Sequence, residues 1–234
     1  AVLDAALAVS AATDGAYDPT AGPLARLRAR ALPAEPDPLA LANARQLVGW
    51  RLLLLEPGGR TVRFRRPGME LALDAVARGR VLGRAATVLR ERGIARARLE
   101  LPGELVTFTG YEAWSVTVPR PDADGPAMHL RVSNAAVATA GGIADRDLFD
   151  PRTGRRPGGD GSVTVVGAAI PEVRAIAEAL RVLGRDGAAD YARRHPEVGV
   201  LWLEPSGEVL QAWNWNLDAV SVEPGLRVEW REAP

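Results

Sequence analysis

The chain has 234 residues, 47% of them hydrophobic and 25% charged, enough to bury one sizeable core or two small ones. Basic and acidic residues balance at 29 each, so no net field marks a nucleic-acid or membrane-surface binder. Cysteine is absent, which removes disulfides, thiolate metal sites and thiol nucleophiles, and no apolar run reaches the ~18 residues of a membrane span.

In chain order, Ala1 to Thr13 reads as an alanine-rich helix with Val2, Leu3, Ala6, Leu7 and Val9 on its apolar face, ended by Asp14-Gly15. The chain begins inside this helical pattern without a methionine or a basic leader, so upstream sequence is expected. A turn-rich stretch follows, in which Pro33, Pro36 and Pro38 predict an irregular surface loop. Gln46 to Leu55 and Thr61 to Arg65 are expected as strands flanking a turn over residues 56–60. Met69 to Leu73 reads as a short strand leading into a helix from Val76 to Arg92, closed by Gly93.

Five strands are predicted next, at Ala97 to Leu101, Leu105 to Thr109, Trp114 to Val118, Met128 to Val132 and Ala135 to Thr139. Ser162 to Ala168 is a further strand, and Pro171 opens a helix to Leu183 that Gly184 stops. A short helix through Tyr191 precedes a hairpin of Val200 to Leu203 and Glu208 to Ala212, and Val220 to Trp230 is read as strand. Runs of strands with segregated helices make this an α+β chain, mixed sheets with helices set apart, in a single domain over residues 1–234.

Two features of the second half carry chemistry by themselves. Trp213 and Trp215 alternate at strand spacing and are expected on one face, either as core or interface packing or as a platform for a stacked ring or a partner. His129 falls in a strand and His195 precedes Pro196 at a helix end, and both read as structural.

Asp150-Pro151-Arg152-Thr153-Gly154-Arg155-Arg156-Pro157, followed by Ser162-Val163-Thr164-Val165-Val166, resembles the DPRTGRP…SVTVV signature of the ApbE family, the FAD:protein FMN transferases. Further segments in the same order extend the resemblance over nearly the whole chain. Asp14 to Leu24 is similar to DGAFDPTVGPL, Leu71 to Gly83 to LDLGGIAKGYAVD, and Ala138 to Gly141 to ATSG. The resemblance implies a T-fold-related architecture from which the family's segment before DGAFDPT is absent here. It also implies FAD as flavin donor, magnesium as cation and a protein acceptor. Family members are commonly exported, and these residues contain no signal that assigns a compartment.

Carried over residue by residue, the resemblance places flavin-nucleotide binding at Ala77, Arg78, Thr139, Asp150, Arg152, Thr153 and Arg174, a metal ligand at Glu178 and a base at Asp147. Several of these positions depart from the family's pattern. The family's two magnesium ligands on the ADALAT helix, Asp and Thr, correspond to Arg174 and Glu178; a guanidinium has no lone pair to offer a cation. Four residues apart on one helix, the two read either as a helical ion pair or as a site where Arg174 replaces the metal and grips phosphate. Asp147 stands at the family's histidine, where it is either solvated or a general base, after a connection at Gly142 to Arg146 that is shorter than usual.

Asp74-Ala75 replaces the glycine pair that lets backbone N–H groups approach phosphate. Asp74 is expected as the N-cap of the helix from Val76; facing a phosphate at about 4 Å it would cost roughly 1 kcal/mol in water and about 4 kcal/mol at an effective dielectric near 20. Glu100-Leu101-Pro102-Gly103-Glu104 replaces NxGGD. These replacements lead to the expectation of a flavin- or partner-binding component without the standard magnesium-dependent reaction. The alternative is an active transferase or FAD pyrophosphatase built from rearranged groups.

Overall fold

The computed structural model describes the chain except residues 1, 32–33, 57–60, 109–111, 122–124, 143–144, 146, 160, 169–171, 207–208, 216–219 and 231–234. The expected turn at 56–60, the helix-opening Pro171 and Gly207-Glu208 of the late hairpin therefore fall wholly or partly outside the described residues.

In chain order the elements are α1 (Val2–Ala12), α2 (Gly22–Ala31), α3 (Pro38–Arg45), a 3-10 turn (Trp50–Leu52), β1 (Leu53–Glu56), β2 (Thr61–Phe64) and α4 (Asp74–Glu91). Then come β3 (Ala97–Leu101), β4 (Glu104–Phe108), β5 (Trp114–Pro119), β6 (Pro126–Val132), β7 (Ala136–Gly141), β8 (Ser162–Gly167) and α5 (Val173–Arg194). β9 (Val198–Leu203), β10 (Val209–Trp213), β11 (Val220–Val222) and β12 (Arg227–Trp230) complete the series. The chain is α+β.

Seven strands make a mixed sheet in the order β12-β10-β9-β8-β7-β4-β3, parallel only between β10 and β12, and β11-β6-β5 make an antiparallel sheet of three. Side-chain alternation divides the core between the two faces of the large sheet. Ala136, Ala138 and Ala140 of β7 and Val163 and Val165 of β8 pack under α5, while α4 covers β3 and β4 and α1 lies against both helices. The intervening Val137 and Val166 face the small sheet, where they meet Val116, Val118, Met128 and Leu130. The alanines of β7 let α5 lie close over the sheet, and that closeness later matters for Arg174.

Several expectations are corrected. Pro38 does not break structure: it sits at the start of α3, where a missing N–H is harmless, and Asp37 caps that helix by accepting from the Ala40 N–H at 2.8 Å. α2 also forms within the stretch read as turns. Gln46 to Leu52 is not strand, and β1 begins only at Leu53 after the 3-10 turn. Residues 69–73 contribute just an isolated bridge between Ala21 and Glu70. α4 starts at Asp74, with Leu73 as N-cap and no side-chain cap bond, so Asp74 lies in the first turn instead of capping it. Gly93 does take the left-handed conformation at the end of α4, with φ 80°. Gly184 interrupts the helical conformation within α5. The late strand divides into β11 and β12, which join different sheets.

Trp213 and Trp215 do not share a face. Asn214 adopts φ 55°, which breaks the period of two, so Trp213 enters the core under the helices while Trp215 packs with the small-sheet side. The side-chain amide nitrogen of Asn214 donates towards the carbonyls of Ala192, Val198 and His195 at 2.7, 3.1 and 3.2 Å, tying the end of α5 to β9 and β10. Asn214→Ala is expected to lower stability by about 2–3 kcal/mol in urea unfolding, and Asn214→Gly, which keeps the backbone freedom, by about 1–2 kcal/mol.

Candidate functional site

A cleft of about 560 Å³ is bordered by the turn after α1, the first turns of α4 and α5, the β3–β4 turn, β5 and the segment after β7. It gathers five of the residues singled out from sequence: Arg78, Thr139, Asp147, Arg174 and Glu178. Ala77, Asp150, Arg152 and Thr153 do not line it.

Arg174 is the centre of the arrangement. It projects from the first turn of α5 and is only 8% exposed. Its Nε donates to Glu178 at 2.8 Å, Nη1 to the Thr139 carbonyl at 2.7 Å and Nη2 to Asp145 at 2.7 Å. Asp145 is itself fixed, because its second oxygen accepts from the Gly141 N–H at 2.9 Å. Gly103 closes the roof of this cluster: its φ is 76°, and a Cβ there would stand 2.7 Å from Arg174 Nη1. Burial works against the Arg174 charge, but Glu178 and Asp145 outweigh it and hold the guanidinium charged above the ordinary arginine range. Burial likewise pushes the Glu178 carboxyl up, and Arg174 pulls it part of the way back.

Glu104 lies next to this cluster and was visible in the sequence only as a departure from NxGGD. It shares the helix-side face of β4 with Val106 and Phe108, is 3% exposed, and neither carboxylate oxygen has a hydrogen-bond partner among the described residues. Desolvation pushes its pKa up to about 7 against the pull of Arg78 and Arg174, with Glu178 adding to the rise. Arg78 is partly engaged elsewhere, donating through Nη2 to the Pro102 carbonyl. The Tyr17 hydroxyl, also buried beside the cleft, has no partner among the described residues either, and burial raises its pKa.

The remaining acids of the cleft differ in how far they are committed. Asp18 accepts from the Thr20 N–H and hydroxyl at 2.8 and 2.6 Å and from the Trp50 N–H at 2.8 Å. Asp74, Glu100 and Asp147 are exposed. Asp145 was missed by sequence reasoning, since nothing in its neighbourhood signals a contact with a side chain 29 positions away.

The Asp150 to Arg155 segment closes on itself. Asp150 accepts from the Arg152 backbone N–H at 2.8 Å and from its guanidinium at 2.9 and 3.0 Å, and its carbonyl accepts from the Gly154 N–H at 2.7 Å. The Thr153 hydroxyl accepts from the Arg155 N–H. Arg28 reaches the Gly154 carbonyl at 2.8 Å and Arg45 the Arg152 carbonyl at 3.1 Å, so the turn anchors α2 and α3. Only Pro151 of the DPRTG residues borders the cleft.

The sequence profile of the ApbE family matches residues 1–202. The FAD:protein FMN transferase of Treponema pallidum is 27% identical, over 89% of this chain and 66% of that protein. That of Vibrio cholerae is 27% identical, over 79% of this chain and 60% of that protein. The chain thus spans less than two thirds of these relatives. The structure of the flavin transferase ApbE from Vibrio cholerae superposes with a TM-score of 0.75 at 25% identity, covering 86% of this chain and 69% of that one. The apbe protein of Thermotoga maritima, at 23% identity and a TM-score of 0.76 over 95% of this chain and 74% of that one, shares the fold. No helix among the described residues is long and apolar enough to cross a membrane.

Proposed function

The chain belongs to the ApbE family, and from that premise we propose that it is a binding domain that does not carry out magnesium-dependent flavin transfer. One observation carries the reading: the Arg174 guanidinium is bonded to Thr139, Asp145 and Glu178 at the position the resemblance assigns to magnesium ligands. Arg174 offers donors and no lone pair, and Glu178 is already spent on Arg174. A hard cation does not fit at Arg174 and Glu178, because the guanidinium fills the space between the Thr139 carbonyl, Asp145 and Glu178 and offers no lone pair. The positive charge resident in the cleft is the protein's own.

The reading in which Arg174 grips the pyrophosphate of FAD requires that side chain to leave Asp145, and two carboxylates already neutralise it. Its relatives act on a protein acceptor by name, and a protein partner remains part of this proposal. Flavin transfer is not.

Incubated with FAD, magnesium and a peptide bearing an acceptor threonine, the chain is expected to release neither FMN nor AMP above a protein-free control by chromatography. Release that disappears in Arg174→Ala would overturn the reading. The double substitution Arg174→Asp with Glu178→Thr, which restores the residue types of the family's helix, is expected to bind magnesium calorimetrically at millimolar concentrations where the unaltered chain gives no heat.

A further inference from the structure

We infer that the cleft takes a small ligand bearing a protonated amine or guanidine, and that Glu104 is the carboxylate that receives it. The inference deepens the reading above, because it requires Arg174, and not a metal, to be the cleft's resident cation.

Glu104 supplies the first argument. A carboxylate 3% exposed with both oxygens unpartnered among the described residues has lost water's hydrogen bonds and gained none from those residues. A ligand with N–H donors and a positive charge replaces both what water gave and the charge compensation that Arg174 gives to others. Arg174 is directed to Thr139, Asp145 and Glu178, and Arg78 donates to the Pro102 carbonyl. The Tyr17 hydroxyl, buried beside the same cleft without a partner, adds a further acceptor.

The charge inventory supplies the second. The cleft is lined by seven carboxylates, from Asp18 and Asp74 at one end to Asp145, Asp147 and Glu178 at the other with Glu100 and Glu104 between, against the guanidiniums of Arg78 and Arg174. With Arg174 neutralised by its own pair of carboxylates, the field inside is negative. It repels a phosphate and draws a cation. The volume, about 560 Å³, is that of a small-molecule site.

The test is calorimetric titration of the full chain with agmatine and butylamine, with AMP and FAD as anionic comparators. Agmatine is expected to bind, with affinity falling at least ~10-fold in Glu104→Gln, since a charged acceptor becomes a neutral one. AMP and FAD are expected to give no heat. Amine binding that survives Glu104→Gln unchanged would be general attraction to an acidic surface and would overturn the inference, as would no amine binding at millimolar concentration or tighter binding of AMP or FAD. FAD cleavage in the assay described earlier would instead sink the reading on which this rests, so the two failures are distinguishable.

Discussion

Arg174→Ala is expected to destabilise the protein by about 3–5 kcal/mol, the range for removing one partner of a buried ion pair. The side chain is 8% exposed and answers two carboxylates and one main-chain carbonyl. Truncation leaves Glu178 and Asp145 facing each other across a void, with Glu104 in the same low-dielectric region and only Arg78, which also donates to the Pro102 carbonyl, left as a cation of the cleft among the described residues. Arg174→Lys should recover only part of the loss, because a single ammonium cannot replace three diverging guanidinium contacts. Urea unfolding of the three proteins at neutral pH measures both effects. A loss below about 1 kcal/mol for Arg174→Ala would mean that the pair behaves as a solvated surface bridge.

Glu104→Gln is expected to act in the opposite direction and to stabilise the protein by about 3 kcal/mol at pH 8. The Glu104 carboxyl has its pKa raised from 4.5 to about 7 in the folded state. A carboxyl raised in this way holds its proton more tightly when folded than when unfolded. Its contribution is therefore complete below pH 4.5 and is lost as the pH climbs towards 7, at about 1.4 kcal/mol for each unit of displacement. Glutamine keeps the shape without the ionisable proton, so the two proteins should be near equal in stability at pH 4 and diverge progressively up to about pH 7. Thermal or urea unfolding across this range tests the slope. Parallel pH profiles would show that Glu104 is solvated in the folded protein. A residue that lowers stability at working pH is typical of a site.

How much of this was legible in the sequence depended on the range of the interaction. Local signals read well: the alternation of β5, the left-handed glycine after α4 and the break at Gly184 all depend on neighbouring residues. Pro38 was misjudged because proline breaks a helix everywhere except in its first turn, and Asp37 beside it was the cue. The tryptophan pair was misplaced because one left-handed residue, Asn214, reverses the alternation between them. At the site, the Arg174–Glu178 pair followed from helical spacing. Asp145 did not, since it arrives from the segment after β7, and the isolation of Glu104 is a property of what fails to surround it. The resemblance implies binding at Asp150, Arg152 and Thr153; these residues lie outside the cleft lining, in a turn whose Arg152 and Gly154 carbonyls hold α3 and α2.

The three-way anchorage of Arg174 also bears on ancestry and descent. Because a strand, a connecting segment and a helix all meet on one guanidinium, any single replacement of it by an uncharged or acidic residue passes through a chain with buried, unanswered carboxylates. A return towards an aspartate at that position would add yet another negative charge before any compensating change was in place. The arrangement therefore works as a ratchet. With Asp145 and Glu178 closed around the arginine, the stability of the fold alone is enough to hold Arg174 in place, whatever the cleft is used for.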